Sequence, residues 1–259
     1  MGTLTNKTAI VTGASRGIGR AIAARLAADG ARVVLAARDE AALAEAVAAI
    51  QEAGGEAAYQ VLDLRREEAP GTLAAFAAET FGGIDIVVNN AGATKRGDFL
   101  TLTEEDWADG FALKFYAAVR LSRAAWPHLK ASGGSLLNIV GVGGRTPGAE
   151  FAIGGSVNAA ILSLTKALAD RGVSDGVQVN AINPGPVRTD RFARTLTARA
   201  EAEGVDAAEA ERRMVQTAGI TRVGEPEDIA ALAAFVVSPS GRLLQGALID
   251  IDGGQTKTI

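Results

Sequence analysis

Residues 8–26, TAIVTGASRGIGRAIAARL, set an apolar run of strand length before three glycines, Gly13, Gly17 and Gly19, and an alanine-rich helical stretch after them. Residues without a Cβ let a backbone approach a pyrophosphate, and the first turn of a helix offers unpaired N–H groups and a partial positive charge to hold it. A tight glycine turn alone would need neither flank. The alternation continues down the chain. Apolar runs at 8–12, 32–36, 57–62, 85–89, 135–140, 177–182 and 247–251 read as strands, with helices at 17–29, 39–53, 67–81, 104–131, 156–171 and 226–237 between them. Strands that alternate with helices predict an α/β fold with a parallel sheet covered on both faces. Residues 141–148 and 252–254 are glycine-rich but sit at strand ends, so no linker divides the chain and 1–259 is expected to be one domain. Segment 189–222 breaks the rhythm with polar helical sequence; over the carboxyl edge of the sheet it would serve as a substrate lid.

Charge narrows the partners. With 26 Lys and Arg against 30 Asp and Glu, the chain carries a formal charge of −4 and offers no general basic face, so neither nucleic acid nor membrane is expected; a local basic patch stays open. The absence of cysteine excludes disulfides, thiolate nucleophiles and thiolate metal sites; cytoplasmic residence is expected and no metal site. The start, MGTLTNKTAIVTGASRG, lacks the charged-then-apolar pattern of a signal peptide, and Asn6 stands where myristoylation at Gly2 wants Ser or Thr.

Which dinucleotide would bind is written after the second apolar run. NAD sites place a carboxylate there to take the ribose hydroxyls, whereas VVLAARDE has Ala37 followed by Arg38. An arginine would hold a 2′-phosphate that a carboxylate would repel, and Arg16 in the glycine loop could hold it from the other side. The pattern favours NADP(H) over NAD(H); both arginines as solvated surface charges is the alternative.

Together with TGASRGIG at 12–19, the segments DL at 63–64, NNAG at 89–92, PGPVRTD at 184–190, RVGEPEDIA at 222–230 and IDGG at 251–254 closely resemble the short-chain dehydrogenase/reductase family over nearly the whole chain. The resemblance implies a Rossmann-type sheet of seven strands in the order 3-2-1-4-5-6-7 and a homodimer or homotetramer built on the long fourth and fifth helices and the last strand. It implies that Gly13, Ser15, Arg16, Gly17, Ile18 and Gly19 hold the cofactor with Arg38, that Asp63 and Leu64 hold the adenine, and that Asn90, Ala91 and Gly92 line the ribose. Pro184, Gly185, Val187 and Thr189 would lie on the nicotinamide side.

The family's catalytic set is an Asn, a Ser and a Tyr-x-x-x-Lys pair. Matched by position, the Asn falls on Lys114, the Ser on Gly141, the Tyr on Gly154 and the Lys on Asn158. No shift of register restores the pair, because the only tyrosines are Tyr59 and Tyr116. Tyr116-x-x-x-Arg120 imitates the motif on the wrong helix, where packing or subunit contact is the expected role. Amide and ammonium have traded places, so Lys114 is expected to reach Asn158 or the nicotinamide ribose. Three functions stay open: an atypical NADP(H)-dependent oxidoreductase acting on a small-molecule substrate, a carbonyl or alcohol with room for one bulkier than acetone; a nucleotide-binding partner of an active homologue; and a non-redox enzyme using Lys114.

Overall fold

The computed structural model describes residues 2–258. Seven strands, β1 Thr8–Thr12, β2 Arg32–Ala37, β3 Glu56–Val61, β4 Ile86–Asn89, β5 Ser135–Ile139, β6 Gln178–Pro184 and β7 Leu248–Ile251, form one parallel sheet in the order β3-β2-β1-β4-β5-β6-β7. Apolar residues fill both faces of the central strands, which is why these segments read as unbroken apolar runs. In β1, Val11 joins the core under α1 (Gly17–Ala28), α2 (Glu40–Glu52) and the helix Pro226–Val237. Its neighbour Ile10 points the other way, toward α3 (Ala69–Phe81) and the helix Ala117–Ser132. The alternation follows from the two-residue repeat of a strand.

Two helices differ from expectation where they matter most. The stretch 104–131 is not one helix but α4, Glu104–Gly110, then a π-helical segment Phe111–Tyr116, then α5, Ala117–Ser132. A π turn adds a residue per turn and rotates the side chains that follow, a change no apolar period announces. The helix expected at 156–171 runs as α6 from Ala152 to Asp175. Gly154 and Gly155 lie inside it and admit close neighbours: a Cβ on Gly154 would meet the Phe151 ring at 2.1 Å, and one on Gly155 the Pro147 Cβ at 2.7 Å. Tertiary packing offsets the roughly 1 kcal/mol that a helical glycine costs. Helix 149–175 is long and apolar enough to cross a membrane, but it buries Ile153, Val157 and Ile161 in the core.

Segment 189–222 folds as α7, Asp190–Glu203, and α8, Ala207–Ala218, which pack on each other. Their N-termini are capped by Thr189 and Asp206 side chains. The last helix, α9, is Pro226–Val237 and lies beside α1.

Candidate functional site

The glycine loop joins β1 to α1 at the carboxyl edge of the sheet. Gly13 and Gly17 have φ of +64° and +55°, and a Cβ on Gly19 would stand 2.3 Å from the Gly13 carbonyl oxygen, so these three positions call for glycine. Arg16 occupies the N-cap of α1 without a side-chain hydrogen bond to it, and the first turn holds no acidic residue. The helix N-terminus therefore keeps its N–H groups for an anion. This cradle fits a dinucleotide pyrophosphate, and Ser15 and Ile18 lie within it.

The NNAG segment is fastened to β1. Thr12 Oγ1 accepts from the backbone N–H of both Asn90 and Ala91 at 3.0 Å, and Asn90 Nδ2 donates to the Thr12 and Gly13 carbonyls at 2.9 and 3.2 Å. Beneath it, Asn89 Nδ2 donates to Asn138 Oδ1 at 2.9 Å, and Asn138 Nδ2 donates to Thr165 Oγ1 at 2.9 Å. These buried amides tie β4 and β5 to α6, each with its polar partner supplied.

Where the adenosine is expected from the sequence, Arg38 stands 3.9 Å from Asp63, which also pairs with Arg65 at 3.4 Å. Leu64 is buried in the core, so only its backbone can face a nucleotide. Arg16 is 3.5 Å from Asp190 at the start of α7. The two arginines thus face different carboxylates, each weak and exposed, which an incoming phosphate can replace. On the opposite side, the Gly185 N–H donates to the Ile251 carbonyl at the end of β7, and the Arg188 N–H to the Gly224 carbonyl just before α9, fixing the segment from Pro184 to Arg188 at both ends. Thr189 serves as the α7 N-cap, and its methyl lies 3.2 Å from where a Gly17 Cβ would be.

Lys114, carried by the π segment, crosses the end of the sheet. Its Nζ donates to Asn158 Oδ1 at 2.6 Å and to the Val140 carbonyl at 2.7 Å, and its methylenes run along Gly92, where a Cβ would meet Lys114 Cδ at 2.7 Å. Asn158 is buried on α6, and its Nδ2 lies 3.4 Å from the carbonyl of Gly141, a residue with φ +121° just past β5. Burial, followed by the nearby Arg191 charge, pushes the Lys114 pKa down to about 7. Lys114 thus reaches Asn158, one of the two partners expected for it, and also lies along Gly92. The two neutral acceptors leave one N–H of the ammonium for a ligand.

Two groups, Arg96 and Arg191, were not legible in the sequence. The Phe151 ring covers Gly154 and Gly143, with a Gly143 Cβ position 2.6 Å from the ring, and Arg96 stacks on it at 4.4 Å. Arg191, near the start of α7, donates to the Gly92 carbonyl at 2.9 Å. Its place two residues beyond Thr189 is the one signal that could have marked it. Tyr116, by contrast, is half exposed on the outer side of its helix, beside Phe115 and under Arg120. A groove of about 650 Å³ between Phe99, Trp107, Phe111 and Tyr116 occupies that outer side, and none of the dinucleotide-loop residues lines it.

A family model described as Enoyl-(Acyl carrier protein) reductase matches residues 13–256. An uncharacterized oxidoreductase of Mycobacterium tuberculosis is 38% identical over 257 residues, covering 98% of this chain and 93% of that protein. A 3-oxoacyl-(acyl-carrier-protein) reductase of Vibrio cholerae is 34% identical, covering 97% and 98%. Among solved structures, L-sorbose reductase from Gluconobacter frateurii, complexed with NADPH and L-sorbose, superposes with a TM-score of 0.95 at 31% identity, covering 100% and 99%. A short chain dehydrogenase from Burkholderia cenocepacia in complex with NADP gives 0.87 at 34% identity, covering 98% and 99%.

Proposed function

The chain belongs to the short-chain dehydrogenase/reductase family, and from that premise we propose that it is an NADP(H)-dependent oxidoreductase of a carbonyl or alcohol substrate with an atypical proton-handling group, Lys114. The observation that carries this reading is the 2.6 Å contact of Lys114 Nζ with Asn158 Oδ1 at the carboxyl edge of the sheet. Gly141 and Gly154 stand where the family carries Ser and Tyr, and neither has a side chain to give a proton. Arg38, without a carboxylate at position 37, supports the preference for the 2′-phosphorylated cofactor.

When bound, the dinucleotide supplies or accepts the hydride. The protein's own part is the rest. The glycine cradle holds the pyrophosphate; Lys114 holds a proton on Nζ, oriented by Val140 O and Asn158 Oδ1, and gives it to a carbonyl oxygen or takes it from a hydroxyl. An amine titrating near neutrality is matched to that task. The pair α7–α8, joined to Gly92 through Arg191, is suited to close over the substrate. The exposed apolar residues Phe99, Leu100, Val173 and Leu243 favour assembly into a homodimer or homotetramer.

The lowered Lys114 pKa also supports a second reading, in which the neutral amine attacks a carbonyl as a Schiff-base nucleophile. The missing side chains at Gly141 and Gly154 support a third, a nucleotide-binding partner of an active homologue. An NADPH titration followed by a carbonyl-panel assay of wild type and Lys114→Ala separates them. Turnover lost in the variant with NADPH binding kept favours the first reading. Borohydride trapping of substrate on Lys114 favours the second, and NADPH binding without turnover on any carbonyl favours the third.

A further inference from the structure

Most arginines around the cleft are matched by a carboxylate: Arg16 by Asp190, Arg38 and Arg65 by Asp63, Arg188 by Glu211 and Glu225. Among the described residues, Arg96 and Arg191 have none within 4.0 Å. Both are tied to the Lys114 end. Arg191 bonds the carbonyl of Gly92, the residue against which the Lys114 methylenes lie. Arg96 rests on the Phe151 ring, which covers Gly143 and Gly154; a Cβ on Gly143 would also lie 3.8 Å from Asn158 Nδ2.

Lys114, Arg96 and Arg191 are thus linked through Gly92 and Phe151 at one end of the site, and among the described residues none of the three has a carboxylate within 4.0 Å. Though much of the Arg191 side chain is exposed, desolvation at its guanidinium and then the like charges of Arg96, Arg194 and Arg16 lower its pKa, and Arg191 in turn lowers that of Lys114. Such mutual repulsion is relieved by an anion bound among them. A guanidinium seated over an aromatic ring, as Arg96 is at 4.4 Å, keeps its N–H groups for carboxylate or phosphate oxygens.

We propose that the substrate of this site is an anionic carbonyl compound, its carboxylate or phosphate held by Arg96 and Arg191 and its carbonyl turned toward Lys114. This rests on the oxidoreductase reading for the carbonyl, but not for the anion. The cofactor's pyrophosphate is the competing anion, because Arg191 also feels Arg16 of the glycine loop. Arg96 distinguishes the two, since its perch on Phe151 belongs to the α6 side of the site.

The test is calorimetric titration of the NADP⁺-saturated protein with two matched pairs, benzoylformate against its methyl ester and dihydroxyacetone phosphate against dihydroxyacetone. At least one anion is expected to bind about tenfold more tightly than its neutral partner, the gain typical of one charge-assisted hydrogen-bonded pair. The pair that shows the difference assigns carboxylate or phosphate. Arg96→Gln and Arg191→Gln are each expected to remove most of that difference while leaving the NADP⁺ Kd within about twofold. Anions that bind no more tightly than their neutral partners overturn the proposal. So do variants that weaken NADP⁺ and leave the anion preference intact. No turnover is needed, so the outcomes separate: a protein that prefers anions but reduces no carbonyl keeps this inference and loses the oxidoreductase reading, and one that reduces neutral carbonyls without anion preference does the reverse.

Discussion

Lys114 Nζ and Asn158 Oδ1 meet at 2.6 Å although 44 residues separate them in the chain. The contact bridges the π segment and α6, and it holds a lysine beside the dinucleotide cradle with its charge desolvated. Most of the chemistry proposed for this protein depends on that placement.

Stability should carry the signature of that lysine. Its folded pKa of about 7 lies below the ordinary value of 10.5, so between those values the unfolded chain binds a proton that the folded chain does not. The Lys114 contribution to stability therefore rises with pH across that window, by at most about 1.4 kcal/mol per unit. Urea unfolding of wild type and Lys114→Met at pH 6.5 and 9 is expected to show the wild type gaining on the variant at the higher pH. A constant difference would mean that Lys114 is not desolvated.

Activity should follow the same group. For carbonyl reduction, kcat is expected to fall as pH rises through about 7, where Lys114 loses its proton. Lys114→Ala should lower kcat by roughly 10²–10⁴-fold, the range of general acid assistance, and erase that limb of the profile. Unchanged kcat in the variant would remove Lys114 from the mechanism.

Phe151 and Gly154 should show a reversal of sign. With the ring in place, a Cβ at residue 154 stands 2.1 Å from it, so Gly154→Ala must displace the ring and is expected to destabilise by about 1–3 kcal/mol. In a Phe151→Ala background the same change should stabilise by about 0.5–1 kcal/mol, because alanine favours the helix. A double-mutant cycle by thermal or urea unfolding measures both. The same crowding predicts that Gly154→Tyr alone restores no activity.

Arg38 should govern the choice of cofactor. Arg38→Asp is expected to weaken NADPH by about 10–100-fold, the worth of a charge-assisted phosphate contact, and to affect NADH little. Fluorescence titration with both nucleotides checks it; equal losses for the two would make Arg38 a solvated surface charge.

The amide chain beneath the site should be structural. Asn138→Ala leaves Asn89 Nδ2 without its 2.9 Å acceptor and Thr165 Oγ1 without its donor in a buried setting. A loss of about 1–3 kcal/mol is expected in chemical denaturation.

Much of this molecule was written locally. The strand at 8–12, its glycines and α1 were legible because a strand repeats every two residues, a helix every 3.6, and a close backbone approach demands glycine. The strand set at 32–36, 85–89 and 135–140 falls within a residue or so of the observed one for the same reason. The helix read at 156–171 starts four residues earlier, at Ala152, where Gly154 and Gly155 sit against Phe151 and Pro147, a fit that only packing decides.

By itself, then, the sequence determined the parallel sheet, its glycine cradle and the identity of the few polar groups available at the site, since these depend on residue type and short-range periodicity. Tertiary structure alone decided where those groups point. The π turn at Phe111–Tyr116 aims Lys114 at Asn158, the Phe151 ring fills the space over Gly154, and Arg191 reaches Gly92 across 99 residues of chain. Such contacts arise from how packed elements meet, and no period along the chain encodes them.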